Sequence, residues 1–294
     1  MAYDLSNKLV VAISSRALFD LEEENNIFND QGVEEYAKHQ LEHENEQLSR
    51  GTAFPLVKAL LSLNDKFEEP IVEVIIMSRN TPETGLRVFN SIDSHGINIV
   101  RAAFTGGEDI SRYIGAFEVD LFLSKNDMDV QEAIDNGFAA AIIYDVPIDY
   151  KPDETQIRIA FDADAVVFSE ESEKIYQADG LEAFLKHEKD NVDNDLLEGP
   201  FAKLLKTLSK IKEKDENLIR IAIVTARNNP AHKRVIYTLR HWGVKVDEAF
   251  FLGGVKKREV LKAFNAHIFF DDQDGHVKPA SEVIPASRVP LKQK

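Results

Sequence analysis

The sequence predicts an α/β protein made of two tandem parallel-sheet domains, and three observations carry that expectation. Short, continuously apolar runs alternate with longer stretches of helical period, the pattern of parallel strands buried on both faces by crossover helices. The apolar frame is written twice: Val11-Ala12-Ile13-Ser14-Ser15-Arg16-Ala17-Leu18-Phe19 aligns with Ile159-Ala160-Phe161-Asp162-Ala163-Asp164-Ala165-Val166-Val167. Finally, 294 residues suit two domains of ordinary size, each long enough to close a core. The internal match divides the chain into residues 1–150 and 151–294, joined by a stretch at 144–154 with the prolines and acidic residues of an exposed connection.

The elements follow in order. In the first part, apolar runs predict strands at 9–13, 72–77, 99–104, 119–123 and 139–144. In the second, the runs fall at 156–161, 218–224, 246–252 and 266–270. Helices fill the gaps. Residues 229–242 read as one, with Pro230 at a first helical position and Gly243 closing it, and the lone Trp242 packing its end. Residues 169–219 are helical by pattern and long enough for only a modest cap. Further points of register are Gly32 with Gly180, His39 with His187 and Gly51 with Gly199. After a one-residue slip, Ser78 meets Thr225 and Gly106-Gly107 meets Gly253-Gly254.

Composition narrows the function. The content is 44% hydrophobic and 29% charged, that of a globular protein rather than a disordered one. A net charge of −16 argues against a nucleic-acid polymer as partner, yet a metal and one or two placed cations would still admit a small anion. With no cysteine, thiol catalysis, disulfides and thiolate metal sites are excluded, and a cytoplasmic setting is expected. No stretch approaches the length of a membrane span, and the N-terminus lacks the features of a signal peptide. The assembly state, a homo-oligomer included, is left open.

The two parts disagree where chemistry would sit. Asp162 and Asp164 stand against Ser14 and Arg16, Lys257 against Ile110, and Asp271-Asp272 against Ser124-Lys125, so the first part reads as catalytically degenerate. The second-part residues fall at the carboxyl ends of predicted strands, where open α/β sheets bind ligands. A carboxylate there can attack phosphorus while a second serves as acid and then base. Asp271-Asp272 after Ile268-Phe269-Phe270 supplies hard oxygen ligands for Mg²⁺, with Mn²⁺ as substitute. Thr225 can donate to a phosphate oxygen, and Lys257 can hold phosphate and nucleophile together, with Lys256 as an alternative. Against these stand plainer readings: a strand-end turn, a solvated acidic loop, a helix cap. The segment Gln40-Leu41-Glu42-His43-Glu44-Asn45 reads as a solvated helix face, and no dinucleotide or phosphate-loop fingerprint appears.

Phe161-Asp162-Ala163-Asp164-Ala165-Val166, Val224-Thr225-Ala226-Arg227, Lys257 and Phe269-Phe270-Asp271-Asp272-Gln273 resemble, in order and spacing, the four motifs of the haloacid dehalogenase-like phosphohydrolases. The surrounding text, including Ala12-Ile13-Ser14-Ser15-Arg16-Ala17-Leu18-Phe19 and Gln40-Leu41-Glu42-His43-Glu44-Asn45, resembles the cytosolic 5'-nucleotidase type I family over nearly the whole chain. The resemblance implies tandem Rossmann-like sheets and Mg²⁺-dependent hydrolysis of nucleoside 5'-monophosphates such as AMP through an aspartyl-phosphate. It makes Asp162 the nucleophile and Asp164 the acid/base. Thr225, Ala226, Arg227 and Lys257 become the phosphate site, and Asp162, Asp164, Asp271 and Asp272 the metal group. Two rivals remain: a phosphatase of another small phosphomonoester such as a sugar phosphate, and a nucleotide-binding regulator. Ser14 and Arg16 are added as substrate contacts from the first part, provided that its carboxyl edge faces the rim carrying Asp162. The plainer reading pairs Arg16 with Asp20 or Glu22.

Overall fold

The computed structural model describes residues 3–147 and 149–293. Ile148 in the expected connection, and Met1 and Ala2 in the N-terminal reading, lie outside the described residues. The first half runs β1 (Leu9–Ile13), α1 (Ser15–Leu18), α2 (Glu22–Gln31), α3 (Val33–Glu42), α4 (Phe54–Ser62), β2 (Val72–Ser78), α5 (Leu86–His95), β3 (Arg101–Phe104), α6 (Ser111–Ile114), β4 (Leu121–Ser124), α7 (Asp127–Asp135) and β5 (Ala140–Ile143). The second runs β6 (Ile157–Phe161), α8 (Glu171–Asp190), α9 (Ala202–Lys212), β7 (Ile219–Thr225), α10 (His232–His241), β8 (Glu248–Phe251), α11 (Lys257–Phe264), β9 (Ile268–Asp271), α12 (Asp274–Ser281) and β10 (Ala286–Arg288). Every expected strand is present within a few residues of its predicted ends, because buried parallel strands are spelled as apolar runs.

The expected pair of sheets is instead one ten-stranded sheet, ordered β3-β2-β1-β4-β5-β10-β9-β6-β7-β8. The cause is β10, which the sequence reading did not find. Ala286-Ser287-Arg288 has no apolar run, yet it pairs parallel with β9 on one side and antiparallel with β5 on the other. Each half keeps the same internal order, and every strand pair except β5 with β10 is parallel among the described residues. The carboxyl ends of the two halves therefore point in opposite directions. A registered row, Ser124 to Ile142 to Arg288 to Asp271, crosses the seam where they meet.

The halves also share apolar packing. One buried cluster runs from Val10 and Leu123 of the first half to Phe161, Phe201 and Phe270 of the second. Within the stretch read as a cap, α9 packs on β7 and on β1, while α8 is interrupted at Gly180, whose φ of 80° breaks it into two helices. Helix α10 starts at His232, after a cis Asn229-Pro230 bond, so Pro230 is not its first residue. Trp242 closes that helix and packs on Phe168 with ring centroids 5.4 Å apart.

The outer strands each carry an ion pair to their inner neighbour. On β3, Arg101 meets Glu73 of β2 at 2.5 Å, and on β8, Glu248 meets Arg220 of β7 at 2.6 Å.

One local difference between the halves lies directly after the first strand of each. Phe19 N donates to Ser15 O, four residues back, whereas Phe168 N donates to Ala163 O, five back. The second half thus holds one extra residue in a π turn at Ala163–Val167, with Asp164 extended and Ala165 at φ 59°. Phe168, not Val167, is the counterpart of Phe19, as the matching bridges Phe19 to Arg50 and Phe168 to Glu198 also show.

Two expectations follow from this architecture. A shared core and a continuous sheet should give a single unfolding transition, with Trp242 fluorescence and far-UV circular dichroism coincident in urea; two separated transitions would contradict it. A Cβ on Gly199 would sit 2.4 Å from Phe168 O and 2.5 Å from Val166 O. Gly199→Ala should therefore cost about 1–3 kcal/mol by overpacking, read as a lowered urea midpoint.

Candidate active site

The carboxyl rim of β6, β7 and β9 gathers the residues singled out by the internal comparison. Phe161 pairs with Phe270, which brings Asp162 beside Asp271, and Phe161 pairs with Ile223, which sets Thr225 one step past the level of Asp162. Stacked Phe161 and Phe270, 5.4 Å between ring centroids, fix the two strand ends from below. Lys257, the first residue of α11, is buried and reaches both carboxylates: its Nζ lies 2.8 Å from Asp162 Oδ1 and 2.7 Å from Asp271 Oδ2. Lys256, the alternative, is exposed one residue earlier as the helix cap.

The carboxylates divide by how fully they are satisfied. Asp271 is fully buried; its Oδ2 accepts from Lys257, and its Oδ1 accepts from Gln273 N at 2.9 Å and faces His276 Nδ1 at 3.3 Å. Burial works to raise its pKa, but Lys257 and His276 outweigh that and hold it below the usual carboxylate range. Asp162 is in the opposite condition. Burial pushes it up to about 7 against the pull of Lys257, with repulsion from Asp271 and Asp164 added. Burial also pushes Asp272 up to about 8, with Asp162 and Asp271 adding to the rise.

Oδ1 of Asp162 and Oδ1 of Asp272 are buried without a hydrogen-bond partner, the Lys257 contact to Asp162 being an ion pair outside hydrogen-bond angles. Buried polar atoms are seldom left so. One oxygen from each of Asp162, Asp271 and Asp272 lies within 4.8 Å of the others. Three carboxylates, one ammonium and two unsatisfied oxygens fit a divalent cation with hard oxygen ligands. Asp272, with its unsatisfied oxygen, is the freer ligand of the adjacent pair, since Asp271 is already saturated by Lys257, Gln273 and His276.

Asp164, expected among the metal ligands, stands outside this group. Both its oxygens are taken by Arg227, with Nε to Oδ2 at 2.8 Å and Nη2 to Oδ1 at 2.6 Å. Arg227, expected at the phosphate, is buried, and its remaining nitrogen Nη1 pairs with Glu188 of α8. Each of its three guanidinium nitrogens is thus already engaged by a carboxylate of the chain. Ala226 is exposed beside it, and Thr225 is buried with its Oγ1 accepting from Arg227 N at 3.2 Å.

Ser14 and Arg16 are not brought to this rim. They follow β1, five strands away from β6 in the sheet, and the antiparallel seam turns their edge the other way. Ser14 Oγ caps α1 by accepting from Ala17 N, and Arg16 pairs with Glu22 at 2.7 Å, in agreement with the plainer reading. Lys125, at the Asp272 position, joins the same group through Glu22 and Asp145.

Sequence reasoning missed Glu188, Arg234, Ser172 and His276. Glu188 is buried and accepts from Ser172 Oγ at 2.8 Å and from Arg234 Nη1 at 3.0 Å. The signal for it lies in the repeat: the register of His39 with His187 sets Gln40 against Glu188, another carboxylate found only in the second half.

The family model for 5'-nucleotidase matches residues 1–294. Human cytosolic 5'-nucleotidase 1B is 36% identical over 291 residues, covering 94% of this chain and 48% of the relative, so this chain spans about half of that protein's length. Among solved structures, a protein assigned as a universal stress protein from Pseudomonas aeruginosa UCBPP-PA14 gives a TM-score of 0.33 at 9% identity, covering 97% of this chain and 93% of its own. The S. aureus MnaA-UDP structure gives 0.23 at 11% identity, covering 93% and 76%. Likenesses this slight carry no weight for fold or function. The family match, running the length of a chain whose strand ends gather three carboxylates beside one buried lysine, shows that this protein belongs to the 5'-nucleotidase family.

Proposed function

We propose that the protein is a Mg²⁺-dependent 5'-nucleotidase that hydrolyses nucleoside 5'-monophosphates of the AMP type through an aspartyl-phosphate on Asp162. The observation that carries this reading is Asp162 itself, a buried carboxylate with an unsatisfied oxygen, fixed beside Lys257 and two further carboxylates. Asp162 attacks phosphorus, the bond from phosphorus to the nucleoside oxygen breaks with its electron pair going to that oxygen, and Asp164, protonated on a lone pair outside the Arg227 fork, supplies the proton. Water then attacks the acyl-phosphate, giving its proton to Asp164 and releasing phosphate from Asp162. Lys257 holds the nucleophile in place and offers positive charge to the phosphate, and Thr225 offers a hydroxyl from the end of the neighbouring strand. Asp162 and Asp272, with Asp271 in support, would hold Mg²⁺, which when bound neutralises phosphate charge.

The matching strand order, the equivalent bridges and the shared positive φ of Gly32 and Gly180 (89° and 80°) and of Gly107 and Gly254 (96° and 94°) support a second part of the reading, that residues 1–150 and 151–294 descend from a duplication and that the first has lost its chemistry. A cytosolic setting accords with the name of the human relative and with the cysteine-free sequence.

Asp162→Asn keeps the shape of the side chain but is a very poor nucleophile, so turnover of AMP should vanish with the melting curve little changed. Activity near that of the unaltered protein would remove Asp162 from the role.

The metal reading has a pH signature with a definite sign. Asp162 and Asp272 have folded-state pKa values raised to about 7 and about 8, so the metal-free fold binds more protons than the unfolded chain across the interval above their ordinary values. Their stabilising contribution is complete at acid pH and is lost as pH rises through about 7 to 8. Mg²⁺ requires the ionised forms, so its stabilisation should grow over the same interval. Melting curves in chelator and in Mg²⁺ should diverge from about pH 6 to about pH 8.5. Curves that stay together throughout would contradict a site at these carboxylates.

A further inference from the structure

We infer that Arg227 is a positioning residue for Asp164, and that Glu188 of α8 sets Arg227, so that the seating of this helix governs the aim of the acid/base carboxylate. The inference rests on the aspartyl-phosphate reading and adds to it a device that links two of the four motifs to α8, which lies outside them. Asp164 lies in the extended part of the π turn, one residue before the positive-φ Ala165, where the backbone alone does not fix the side chain. The fixing comes from Arg227, whose planar fork takes both oxygens of Asp164 in parallel, a geometry that restricts rotation as a single bond does not.

Arg227 is in turn held from the far side. Its Nη1 pairs with Glu188, and Arg234 and Ser172 hold Glu188, while Phe184 of the same helix lies over the guanidinium with the ring centre 5.3 Å from its central carbon. Glu188, Arg227 and Arg234 are each nine-tenths or more buried. A buried charged group is costly unless its partners are complete. Here Arg227 spans two carboxylates and Glu188 spans two guanidinium groups.

A second, independent observation comes from the first half, where the same positions are occupied without the same charges. Arg87, at the place of Arg234, keeps its anchoring role: its Nε donates to Glu46 O as that of Arg234 donates to Asn194 O. The other three positions change together. Arg16 stands for Asp164, Asn80 for Arg227 and Gln40 for Glu188. Asn80 N still donates to Ser78 Oγ as Arg227 N does to Thr225 Oγ1, so the backbone is kept while the charge chain is gone. Arg87 finds its carboxylate from Glu24 instead, at the place of Ser172. A chain of three charges needed only for folding would be expected in both halves; this one accompanies Asp162.

The test separates positioning from general damage by the leaving group. Nucleoside release from AMP needs a proton on the departing oxygen, whereas p-nitrophenolate departs from p-nitrophenyl phosphate without one. In single-turnover measurements with Mg²⁺, Arg227→Lys and Arg227→Met should slow first-product release from AMP about 100-fold, within the range for losing general acid catalysis. The same step with p-nitrophenyl phosphate should be nearly unchanged. Arg227→Lys retains the charge without the fork, and Glu188→Gln retains the pair with Asp164 while loosening it, so Glu188→Gln should show the same selectivity at about 10-fold. Circular dichroism checks each variant, and Glu188→Gln decides the matter should neither Arg227 variant fold. Equal slowing of both substrates, or no slowing of either, would overturn the positioning role. An unaltered protein inactive on both substrates would instead sink the phosphatase reading, and this inference with it.

Discussion

The site is organised by a shortage of positive charge. Asp162, Asp271 and Asp272 share a rim with one ammonium, that of Lys257, and it touches only the first two. Burial prevents water from screening the surplus, and the consequence is visible in opposite directions at neighbouring residues: Asp271 is held ionised by Lys257 and His276, while Asp162 and Asp272 are pushed toward protonation. A rim built this way is unfavourable by itself, and a divalent cation is the kind of charge that would relieve it. The parallel strands supply the rigidity this arrangement needs, since carboxylates on mobile loops would relax apart.

At the corresponding positions the first half is self-sufficient. Ser14 caps a helix, Arg16 and Lys125 share Glu22, and Ser15 meets Ser78 at 3.0 Å. Each group finds its partner within the half, and nothing among these residues is left buried and unsatisfied as Asp162 and Asp272 are. The antiparallel seam also excludes this edge from the opposite rim. What the first half gives the second is the pairing of β5 with β10 and the packing of β1 against α9.

Much of this is legible in the residues alone. Leu9–Ile13, Ile219–Thr225 and Ile268–Asp271 are apolar because they are covered on both sides, so they declare themselves. Asp162, Lys257 and the Asp271-Asp272 pair are legible because the first half shows the same apolar frame with other residues in their places. What stays hidden depends on partners distant in sequence. Ser287 is fully buried by its neighbouring strands although its own run is polar, so β10 leaves no trace in hydrophobic pattern, and without β10 the relation of the halves cannot be read. The bond of Arg227 to Asp164 is hidden for a similar reason. An arginine beside a phosphate motif suggests an anion from outside, and only the folded chain shows that the anions are its own.

Joining two half-sheets at β5 and β10 leaves β3 and β8 as the outer strands, and the ion pairs on them have a consequence for how the protein behaves in a crowded solution. An outer strand with free backbone groups is a template on which another chain can add, and charged side chains placed there discourage such growth. Arg101 on β3 and Glu248 on β8 occupy corresponding places with opposite sign, each matched by its neighbour, Glu73 or Arg220. The borders thus differ in polarity, and a border meeting its own kind in another copy would bring like charges together. The charges thus act selectively: they oppose the joining of like borders and leave β3 against β8 as the pairing in which opposite charges meet.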